Sequence, residues 1–528
     1  MSAASPPPVR SFWVAAAENP DRIAVIDPDG REWTAGEVDA QANQLVHFLR
    51  ESGLQPGDPV AMLLPNRAEV IVVLMALFQA GWNFVPLNSN LTTAEVSYIL
   101  EDSGAKAIVA DVRFADVASA AADEAGLPEA TRIAVGTDEA SAGIPGFTHL
   151  VDALAGRPTA PPTDRLAGQF MQYTSGTTGR PKAVQRTLPS FDPEAWVQIF
   201  SGNLLRYDIE PGGDAVHLVT SPMYHLSPLS FGYFSTHFEH PVVLMEKWDA
   251  EEALRLIERY RVTDTAMVPT QLHRLMQLPE EVRARYDVSS LRQVIHAAAP
   301  CPITLKRSLF DWLGPVIYEF YGATEGGGTL AKPQDWLDHP GTVGRPWQGA
   351  DVKILDDDGN ELPAGTVGTV YMKLMGGDFR YKGDDDKTSA NRHGEYFTVG
   401  DMGELDDDGF LYLRDRKIDM IISGGVNVYP AEVEAALLSH PAVGDAAVFG
   451  IPDPEWGEQV KAVVEPAAGR VASPALAEEL LAHCATQLAK YKCPRSIDFT
   501  QAMPRDPNGK LYKRRLRDPY WEGVSSEI

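Results

Sequence analysis

The stretch YTSGTTGRPKAV, residues 173–184, concentrates hydroxyl, glycine and basic side chains that could hold an anion. Glycines let backbone N–H groups approach a phosphate, hydroxyls donate hydrogen bonds, and Lys182 adds positive charge. The stretch is not a Walker loop, because Pro181 stands where that motif has its second glycine and Ala183 follows the lysine. Taken alone, it is equally compatible with a phosphate-holding loop and with a flexible surface loop.

The segments around this loop alternate between helix-period and strand-like patterns. From about Thr34 to Val109, and again from about Ala215 to Glu319, amphipathic segments alternate with short β-rich runs. Such alternation is typical of a sheet with helices packed on it. The most apolar stretch, residues 68–82, is shorter than the ~20 residues of a membrane span, so it predicts a buried helix.

The character of the chain changes after Thr342. Short apolar runs are separated there by Asp-Gly turns, which predict β-hairpins. After Asp419 a small unit begins, with predicted helices at 429–440 and 474–491 and predicted strands at 444–452 and 459–466. We therefore predict an α/β fold. Its large N-terminal domain, residues 1–415, has α/β subdomains plus a small β-rich part, and it is followed by a hinge at 416–419 and a small α+β C-terminal domain, residues 420–528.

The composition limits the classes of partner. The 528 residues include 46 basic and 73 acidic side chains, a net charge of −27, which argues against nucleic acid as a partner. Three cysteines are too few and too scattered for a disulfide framework or a zinc cluster, and the first ten residues do not resemble a signal peptide. We expect a cytoplasmic protein, while its oligomeric state stays open.

Five separated segments together resemble the adenylate-forming superfamily of acyl-CoA synthetases, peptide-synthetase adenylation domains and luciferases. They are residues 173–184, SPMYHLSP at 221–228, YGATEGG at 321–327, the long stretch 396–434, and PRDPNGK at 504–510. The resemblance implies that an acid and ATP form an acyl-adenylate with loss of pyrophosphate, and that a thiol then displaces AMP. It also implies a mobile C-terminal domain and the cofactors ATP, Mg²⁺ and coenzyme A.

The resemblance assigns nucleotide-binding roles to residues along the whole chain. The polyphosphate loop matches at Thr174, Ser175, Gly176, Thr177, Thr178, Gly179 and Lys182. The walls of the adenine pocket match at Ala298, Ala299, Tyr321 and Gly322, although small-residue strand packing explains the alanines almost as well. Asp401 matches the carboxylate that accepts the ribose hydroxyls, and Arg416 matches a contact to ribose or phosphate.

The same resemblance implies four catalytic residues. Thr324 and Glu325 match the residues beside the α-phosphate, with Glu325 as the Mg²⁺ ligand. Lys510 matches the lysine that bridges the acyl carboxylate and the α-phosphate, where a cation stabilises developing charge. His225 matches a ring beside the acyl carboxylate, with a structural histidine as the rival interpretation.

Coenzyme A is the expected thiol, because a short tail rather than a carrier domain follows Lys510. Gly424 and Gly425 match the segment that lines the pantetheine tunnel in CoA ligases, although a tight turn explains them equally well. Three glycines at 326–328 and three alanines at 297–299 suggest a deep apolar space. We therefore predict an acyl-CoA ligase for a bulky or long hydrophobic carboxylic acid.

Two positions depart from the family pattern and keep alternatives open. Ala183 replaces a usual glycine, which would be costly if the position needed positive φ. Ile418 falls on the hinge, where Asp or Lys is usual, and a β-branched residue is stiff. One alternative is therefore a ligase impaired in adenylation that receives acyl-adenylate from a separate adenylating enzyme. A non-catalytic nucleotide-binding protein and a phosphotransferase are the alternatives of other classes.

Overall fold

The computed structural model describes residues 9–136, 143–174, 182–323, 326–373, 380–382, 389, 391–416, 419–423, 426–453, 456–506 and 509–522. The chain divides into two compact units. The first comprises residues 1–267, 280–295 and 376–390, and the second comprises 268–279, 296–375 and 391–528. The second unit thus joins the C-terminal residues to segments from the middle of the chain, and the boundary at 416–419 stays a prediction.

The first unit contains a six-stranded parallel sheet. Its strands lie in the order β7-β6-β5-β3-β4-β8 and all pair in parallel. Their bounds are β3 Pro59–Leu63, β4 Asn83–Pro86, β5 Ala107–Asp111, β6 Arg132–Val135, β7 Thr148–His149 and β8 Gln169–Phe170. Strands such as β5 are buried throughout, as expected for parallel strands covered on both faces.

Helices pack around this sheet. They are α1 Phe12–Glu18, α2 Ala35–Glu51, α3 Ala68–Ala80, α4 Thr93–Ser103, α5 Ala115–Glu124 and α6 Leu150–Leu154. All residues of α3 are buried, which confirms the helix predicted from the apolar stretch. The helices α2 and α4 each begin with a capping box, in which Thr34 pairs with Glu37 and Thr92 with Glu95, so local sequence sets where both helices start.

A second sheet and a small ribbon complete the first unit. The sheet strands are β1 Ile23–Ile26, β2 Glu32–Thr34, β11 His217–Val219, β12 Val242–Leu244, β13 Asp264–Met267 and β14 Gln293–His296, and the ribbon strands are β9 Gln172–Thr174, β10 Lys182–Gln185 and β20 Arg380–Tyr381. The helices are α7 Pro193–Phe200, α8 Leu226–His237, α9 Ala250–Tyr260 and α11 Glu280–Arg283. The ribbon is antiparallel, with β10 between β9 and β20, so the residues on both sides of the candidate phosphate loop are paired strands.

The second unit begins with β-rich structure. The strands β15 Ile317–Gly322, β16 Gly328–Ala331 and β17 Arg345–Pro346 are antiparallel. A six-stranded antiparallel sheet contains β18 Val352–Leu355, β19 Gly368–Lys373, β21 Arg392–His393, β22 Tyr396–Phe397, β23 Asp401–Leu405 and β24 Leu411–Arg416. The helices of this part are α10 Pro269–Gln277, α12 Ile303–Leu313 and α13 Pro333–Asp338. The antiparallel pairing of β23 and β24 confirms the hairpin predicted from the Asp-Gly turn between them.

The last part of the second unit is a mixed sheet with three helices. Its strands are β25 Ile421–Ser423, β26 Val426–Val428, β27 Val443–Asp453, β28 Gly457–Pro466 and β29 Ser496–Phe499, and its helices are α14 Pro430–Leu438, α15 Pro474–Gln487 and α16 Lys513–Trp521. In α15 the side chains of Leu476, Leu480 and Cys484, which stand at helical spacing, are buried in one apolar cluster. Among the residues that the structure describes, none of the helices has the length and apolarity needed to cross a membrane.

Candidate functional site

Three predicted nucleotide-binding residues meet in the second unit. Asp401 begins β23 and lies opposite Arg416, the last residue of β24, in the strand register. The Tyr321 hydroxyl donates a 2.6 Å hydrogen bond to Asp401 Oδ2, and Arg416 Nε lies 3.4 Å from Asp401 Oδ1. Each oxygen of the carboxylate therefore faces a donor, and a ligand hydroxyl that binds Asp401 must share or replace these contacts.

The exposure of this group suits a site at the protein surface. The Asp401 side chain is 14% exposed, whereas that of Arg416 is 54% exposed. The carboxylate is thus held in place, while the guanidinium keeps donors directed to solvent that could reach a phosphate or ribose oxygen. An ion pair with so exposed a partner adds little to stability.

Lys510 lies close enough to Arg416 for the two charges to interact. Partial burial of the ammonium lowers the pKa of Lys510, the positive charge of Arg416 lowers it further, and the carboxylate of Asp506 opposes both. The side chain is nevertheless among the exposed ones. Two neighbouring cations favour the binding of a polyanionic ligand.

The predicted adenine wall follows β14. Ala298 has a φ of +74°, a left-handed conformation that a residue with a Cβ rarely adopts, whereas Ala299 is not among the residues with positive φ. Such strain is found mostly where surrounding structure holds a functional turn. The turn is anchored at its start by His296, which is 1% exposed.

A buried polar network lies next to this turn. Lys306 Nζ and Glu319 Oε2 are 2.6 Å apart, and His296 Nε2 lies 3.6 Å from the same oxygen. Burial raises the pKa of Glu319, and the Lys306 charge opposes that rise. Burial also lowers the pKa of His296 well below its usual value, and it raises the pKa of the Cys301 thiol to about 12. The histidine is therefore neutral and the thiol unreactive at neutral pH.

The glycines after Glu325 do not leave the open space that the sequence suggested. A Cβ at Gly328 would lie 2.2 Å from the Tyr321 carbonyl oxygen and 2.4 Å from the Trp347 ring, and one at Gly327 would lie 2.7 Å from the Lys373 carbonyl oxygen. Because backbone and an indole ring already occupy this space, the prediction of a deep apolar pocket at these two glycines is wrong. They permit close packing of β15, β16 and Trp347 instead.

His225 lies in the first unit, at the start of α8. It precedes the first helical residue, and its ring is 4.5 Å from that of Tyr224 between centroids. Gln172 donates a 2.9 Å hydrogen bond to the Tyr224 carbonyl, so β9 holds this turn in place. The side chain of Asn66 also donates to the Ser221 carbonyl at 2.9 Å. The turn before α8 is therefore fixed on both sides, as a positioned histidine requires.

The strands beside the candidate phosphate loop explain one departure from the family pattern. Lys182 pairs with Thr174 and Ala183 with Tyr173 in an antiparallel ladder. Ala183 is fully buried in an apolar cluster and is not among the described residues with positive φ. A methyl group at this position therefore causes no backbone strain. The geometry supports the interpretation that the change from glycine to Ala183 is harmless.

Several predicted residues lie outside the described part of the chain. They are Ser175, Gly176, Thr177, Thr178, Gly179, Thr324, Glu325, Ile418, Gly424 and Gly425, and the Thr174 side chain is likewise not described. Among described residues, no group of three or more His, Cys, Asp or Glu side chains could hold a metal. Mg²⁺ is commonly held by one or two carboxylates together with substrate phosphates, so a site built on Glu325 alone fits this cation.

Two residues without a predicted role lie beside Lys510: Arg505 contacts its loop, and Asp445 contacts Arg505. Arg505 donates a 2.6 Å hydrogen bond to the carbonyl of Gly509, which precedes Lys510, and it pairs with Asp445 on β27. Arg505 stands within the segment PRDPNGK that carries the resemblance, so the sequence alone could have indicated this residue. Asp445 lies 60 positions from Arg505, and no local pattern connects them.

The chain belongs to the AMP-binding enzyme family, whose model matches residues 12–376. The model of the AMP-binding enzyme C-terminal domain matches residues 432–510. These matches confirm the adenylate-forming superfamily and its fold of a large N-terminal and a small C-terminal domain. The protein is an ATP-dependent, AMP-forming acyl-CoA ligase that uses ATP, Mg²⁺ and coenzyme A.

The chain is similar to CoA ligases over nearly the whole length of both chains. The chain is 33% identical to the long-chain-fatty-acid–CoA ligase FadD13 of Mycobacterium tuberculosis, covering 96% of this chain and 97% of the relative. It is 34% identical to the 2-succinylbenzoate–CoA ligase of Bacillus licheniformis, covering 94% and 97%. The crystal structure of the anthranilate CoA ligase AuaEII in complex with anthranoyl-AMP superposes with a TM-score of 0.84 at 26% identity, covering 98% and 99%.

Proposed function

We propose that this ligase activates a bulky or long hydrophobic carboxylic acid and transfers it to coenzyme A. In the first half-reaction the acid carboxylate attacks the α-phosphorus of ATP, an acyl-adenylate forms, and pyrophosphate leaves. In the second, the CoA thiol attacks the acyl carbon, a thioester forms, and AMP leaves with the electron pair of the broken C–O bond. The observation that carries these roles is the grouping of Tyr321, Asp401, Arg416 and Lys510 in one unit.

Asp401 is proposed to bind the ribose and Lys510 to stabilise the reacting groups. A carboxylate is an acceptor only, so it suits two sugar hydroxyls, and Arg416 adds a donor beside it. The Lys510 ammonium is proposed to lie between the acyl carboxylate and the α-phosphate, where it offsets charge as the oxygen attacks. The lowered pKa of Lys510 in the free enzyme would rise again once an anion binds, so the lysine stays charged in the complex.

The remaining assignments are proposals that rest on motif position. Ser175, Thr177, Thr178 and Lys182 would hold the β- and γ-phosphates, and Glu325 would hold Mg²⁺ beside Thr324. Mg²⁺ would supply neutralisation of charge on the leaving pyrophosphate. Ala298, Ala299 and Gly322 would line the adenine together with Tyr321, and Gly424 and Gly425 would border the thiol arm of coenzyme A. His225 would contact the acyl carboxylate.

The relatives, and not a pocket in the structure, support the proposal of a bulky or long hydrophobic acid. Their names give a long-chain fatty acid, 2-succinylbenzoate and anthranilate as substrates, each of which carries an apolar chain or an aromatic ring. A ligase of this kind has to desolvate an apolar group of its acid, and burial of apolar area is worth about 25 cal/mol per Å². Acids with a larger apolar body are therefore expected to have the higher kcat/KM.

The experiment is a substrate panel with both products measured. Acetate, octanoate, palmitate, benzoate, ferulate and a polycyclic acid are each incubated with ATP, Mg²⁺ and CoA, and AMP and the CoA thioester are quantified by chromatography. Stoichiometric AMP and thioester, with kcat/KM at least about 100-fold above that of acetate for a larger acid, is the expected result. Acetate as the best acid would overturn the substrate class.

The alternative of a ligase impaired in adenylation rested on Ala183 and Ile418. The buried strand position of Ala183 gives it no support. Ile418 lies outside the described residues, so the hinge at 416–419, the domains 1–415 and 420–528, and a separate adenylating partner stay predictions. Pyrophosphate release with acid and ATP alone tests the adenylating partner, since rapid release would make a partner enzyme unnecessary.

A cytoplasmic location stays part of the proposal. Cys301, Cys484 and Cys493 are all free thiols, which is compatible with a reducing compartment. Fractionation of the producing cells, with the activity followed in the cytosolic and membrane fractions, tests this location.

A further inference from the structure

The loop that carries Lys510 is closed by its own side chains. The Lys510 backbone N–H donates a 2.8 Å hydrogen bond to Asp506 Oδ1, and the Asp506 N–H donates to the Lys510 carbonyl at 2.9 Å. Arg505 Nη1 donates a 2.6 Å hydrogen bond to the Gly509 carbonyl. Arg505 also forms an isolated β-bridge with Leu511, so the two ends of the loop lie side by side.

Arg505 connects this loop to the sheet below it. Its Nε and Nη2 donate to the two oxygens of Asp445, at 2.5 and 2.7 Å, in a bidentate pair. The Arg505 side chain is 17% exposed and that of Asp445 only 8% exposed. Burial alone would lower the pKa of Arg505, but the hydrogen bonds and charge of Asp445 raise it overall, so the guanidinium is always charged. Asp445 belongs to β27 and lies opposite Glu465 of β28, next to a register shift between the two strands, so the anchor is part of a paired strand.

The loop also contacts the beginning of α10 within the same unit. Gly509 has a φ of +79°, and a Cβ there would lie 3.1 Å from both Thr270 Oγ1 and Val268 Cγ2. Glycine is needed at this position both for the backbone conformation and for the close approach. His273 of α10 has its pKa lowered by burial, with the Asp445 charge opposing, so the helix and the Arg505–Asp445 pair are neighbours.

We propose that Arg505, held by Asp445, is a positioning residue that sets the place of Lys510 for adenylate formation. The inference rests on the proposed role of Lys510. The Arg505 side chain joins the backbone just before Lys510 to β27, and each of its three nitrogens donates one hydrogen bond. Without it the loop loses its bidentate anchor, and the ammonium no longer has a defined distance to the reacting carboxylate and phosphate. A displacement of about 1 Å at a reacting centre can lower a rate roughly 100-fold.

The two half-reactions separate this role from general stabilisation. Adenylation is measured as acid-dependent exchange of pyrophosphate into ATP, and thioester formation is measured from synthetic acyl-adenylate and CoA. The variants are Arg505→Met, Arg505→Lys and Asp445→Asn, with Lys510→Ala as the reference. Lys461→Met is the control, because Lys461, with a side chain 6% exposed, pairs at 2.7 Å with Asp498 in the same sheet, although the Asp498 side chain is 51% exposed.

We expect Arg505→Met to lower adenylation roughly 100-fold and thioester formation less than about twofold. Arg505→Lys, which keeps one charge but cannot pair with both oxygens, should fall between wild type and Arg505→Met. The double variant Arg505→Met/Lys510→Ala should be no slower in adenylation than Lys510→Ala alone, because a positioning residue acts through the residue it positions. Lys461→Met should leave both half-reactions unchanged.

Three outcomes would overturn the inference. The first is wild-type adenylation in folded Arg505→Met and Arg505→Lys while Lys510→Ala is inactive, which leaves the proposed function intact. The second is an equal fall in both half-reactions, which would show a merely structural role. The third is full adenylation activity in Lys510→Ala, which would remove the proposed role of Lys510 as well. If Arg505→Met does not fold, Arg505→Lys and Asp445→Asn decide by the same criteria.

Discussion

Lys306 and Glu319 form an ion pair of 2.6 Å in which the lysine side chain is fully buried and the glutamate 8% exposed. The Lys306 ammonium also lies 4.9 Å from the centre of the Trp336 ring. Glu319 stands two residues before Tyr321 on β15, and His296, which opens the strained turn at Ala298, approaches the same carboxylate. The pair thus fixes the position of both predicted walls of the adenine pocket.

Replacing one partner of this pair should lower the free energy of unfolding far more than replacing both. Lys306→Met leaves a buried carboxylate, and Glu319→Gln leaves a buried ammonium, so each is expected to lower the free energy of unfolding by about 3–5 kcal/mol. The double variant Lys306→Met/Glu319→Gln should recover most of that loss. Urea denaturation of all four proteins at pH 7.5 measures the cycle, and additive losses would contradict a direct pairing.

The hydrogen bond from Tyr321 to Asp401 predicts a graded effect on ATP binding. Tyr321→Phe removes one donor from the carboxylate and should raise the KM for ATP about fivefold, the equivalent of ~1 kcal/mol. Asp401→Asn removes the charged acceptor itself and should raise it roughly tenfold or more. Initial rates at varied ATP check both values. The KM for CoA is the internal control, and a rise of equal size there would refute a ribose-specific role.

Replacing Ala183 by the usual glycine should lower the stability of the protein without raising its rate of adenylation. Ala183 lies in β10 with an ordinary φ and is fully buried. Ala183→Gly is therefore expected to lower the free energy of unfolding by about 1 kcal/mol through backbone entropy and lost packing. The rate of pyrophosphate release should not rise. A severalfold faster release would show that the alanine does impair adenylation.

The buried His237 is expected to make the stability of the protein depend on pH. It is fully buried, its Nδ1 accepts a 2.8 Å hydrogen bond from the Phe12 N–H, and burial lowers its pKa to about 3, with the Arg22 charge adding to the effect. The unfolded chain binds a proton near pH 6.5 and the folded chain does not, so this stability is present above pH 6.5 and is lost as pH falls towards 3. From pH 7 to pH 5 the loss is about 2 kcal/mol.

The variant His237→Asn isolates this contribution. Asparagine places an amide oxygen near the position of Nδ1 and has no titrating group, so the acceptor for Phe12 is kept. Urea unfolding at pH 7 and pH 5 should show a loss about 2 kcal/mol smaller in the variant than in the wild type. An unchanged pH dependence would assign the acid sensitivity to other groups.

The sequence by itself determined several helices and turns, and it determined the motif positions of the main site residues. Apolar residues across 68–80 left no polar face, so α3 had to be buried, and the helical spacing of Leu476, Leu480 and Cys484 fixed the packed face of α15. Capping boxes and Asp-Gly turns are local signals of a few residues. The motif positions of Asp401, Arg416 and Lys510 were likewise readable in sequence, because they stand at recognisable places within short segments.

Only the tertiary structure decided which side chains meet. Tyr321 and Asp401 are 80 positions apart, and Arg505 and Asp445 are 60 apart, so strand register and loop closure, which no local periodicity specifies, bring them together. The same holds for the glycines at 327 and 328, which predicted open space and instead accept Trp347 and a carbonyl. A glycine in the sequence does not show what fills the space beside it, because residues from elsewhere in the chain pack into that space.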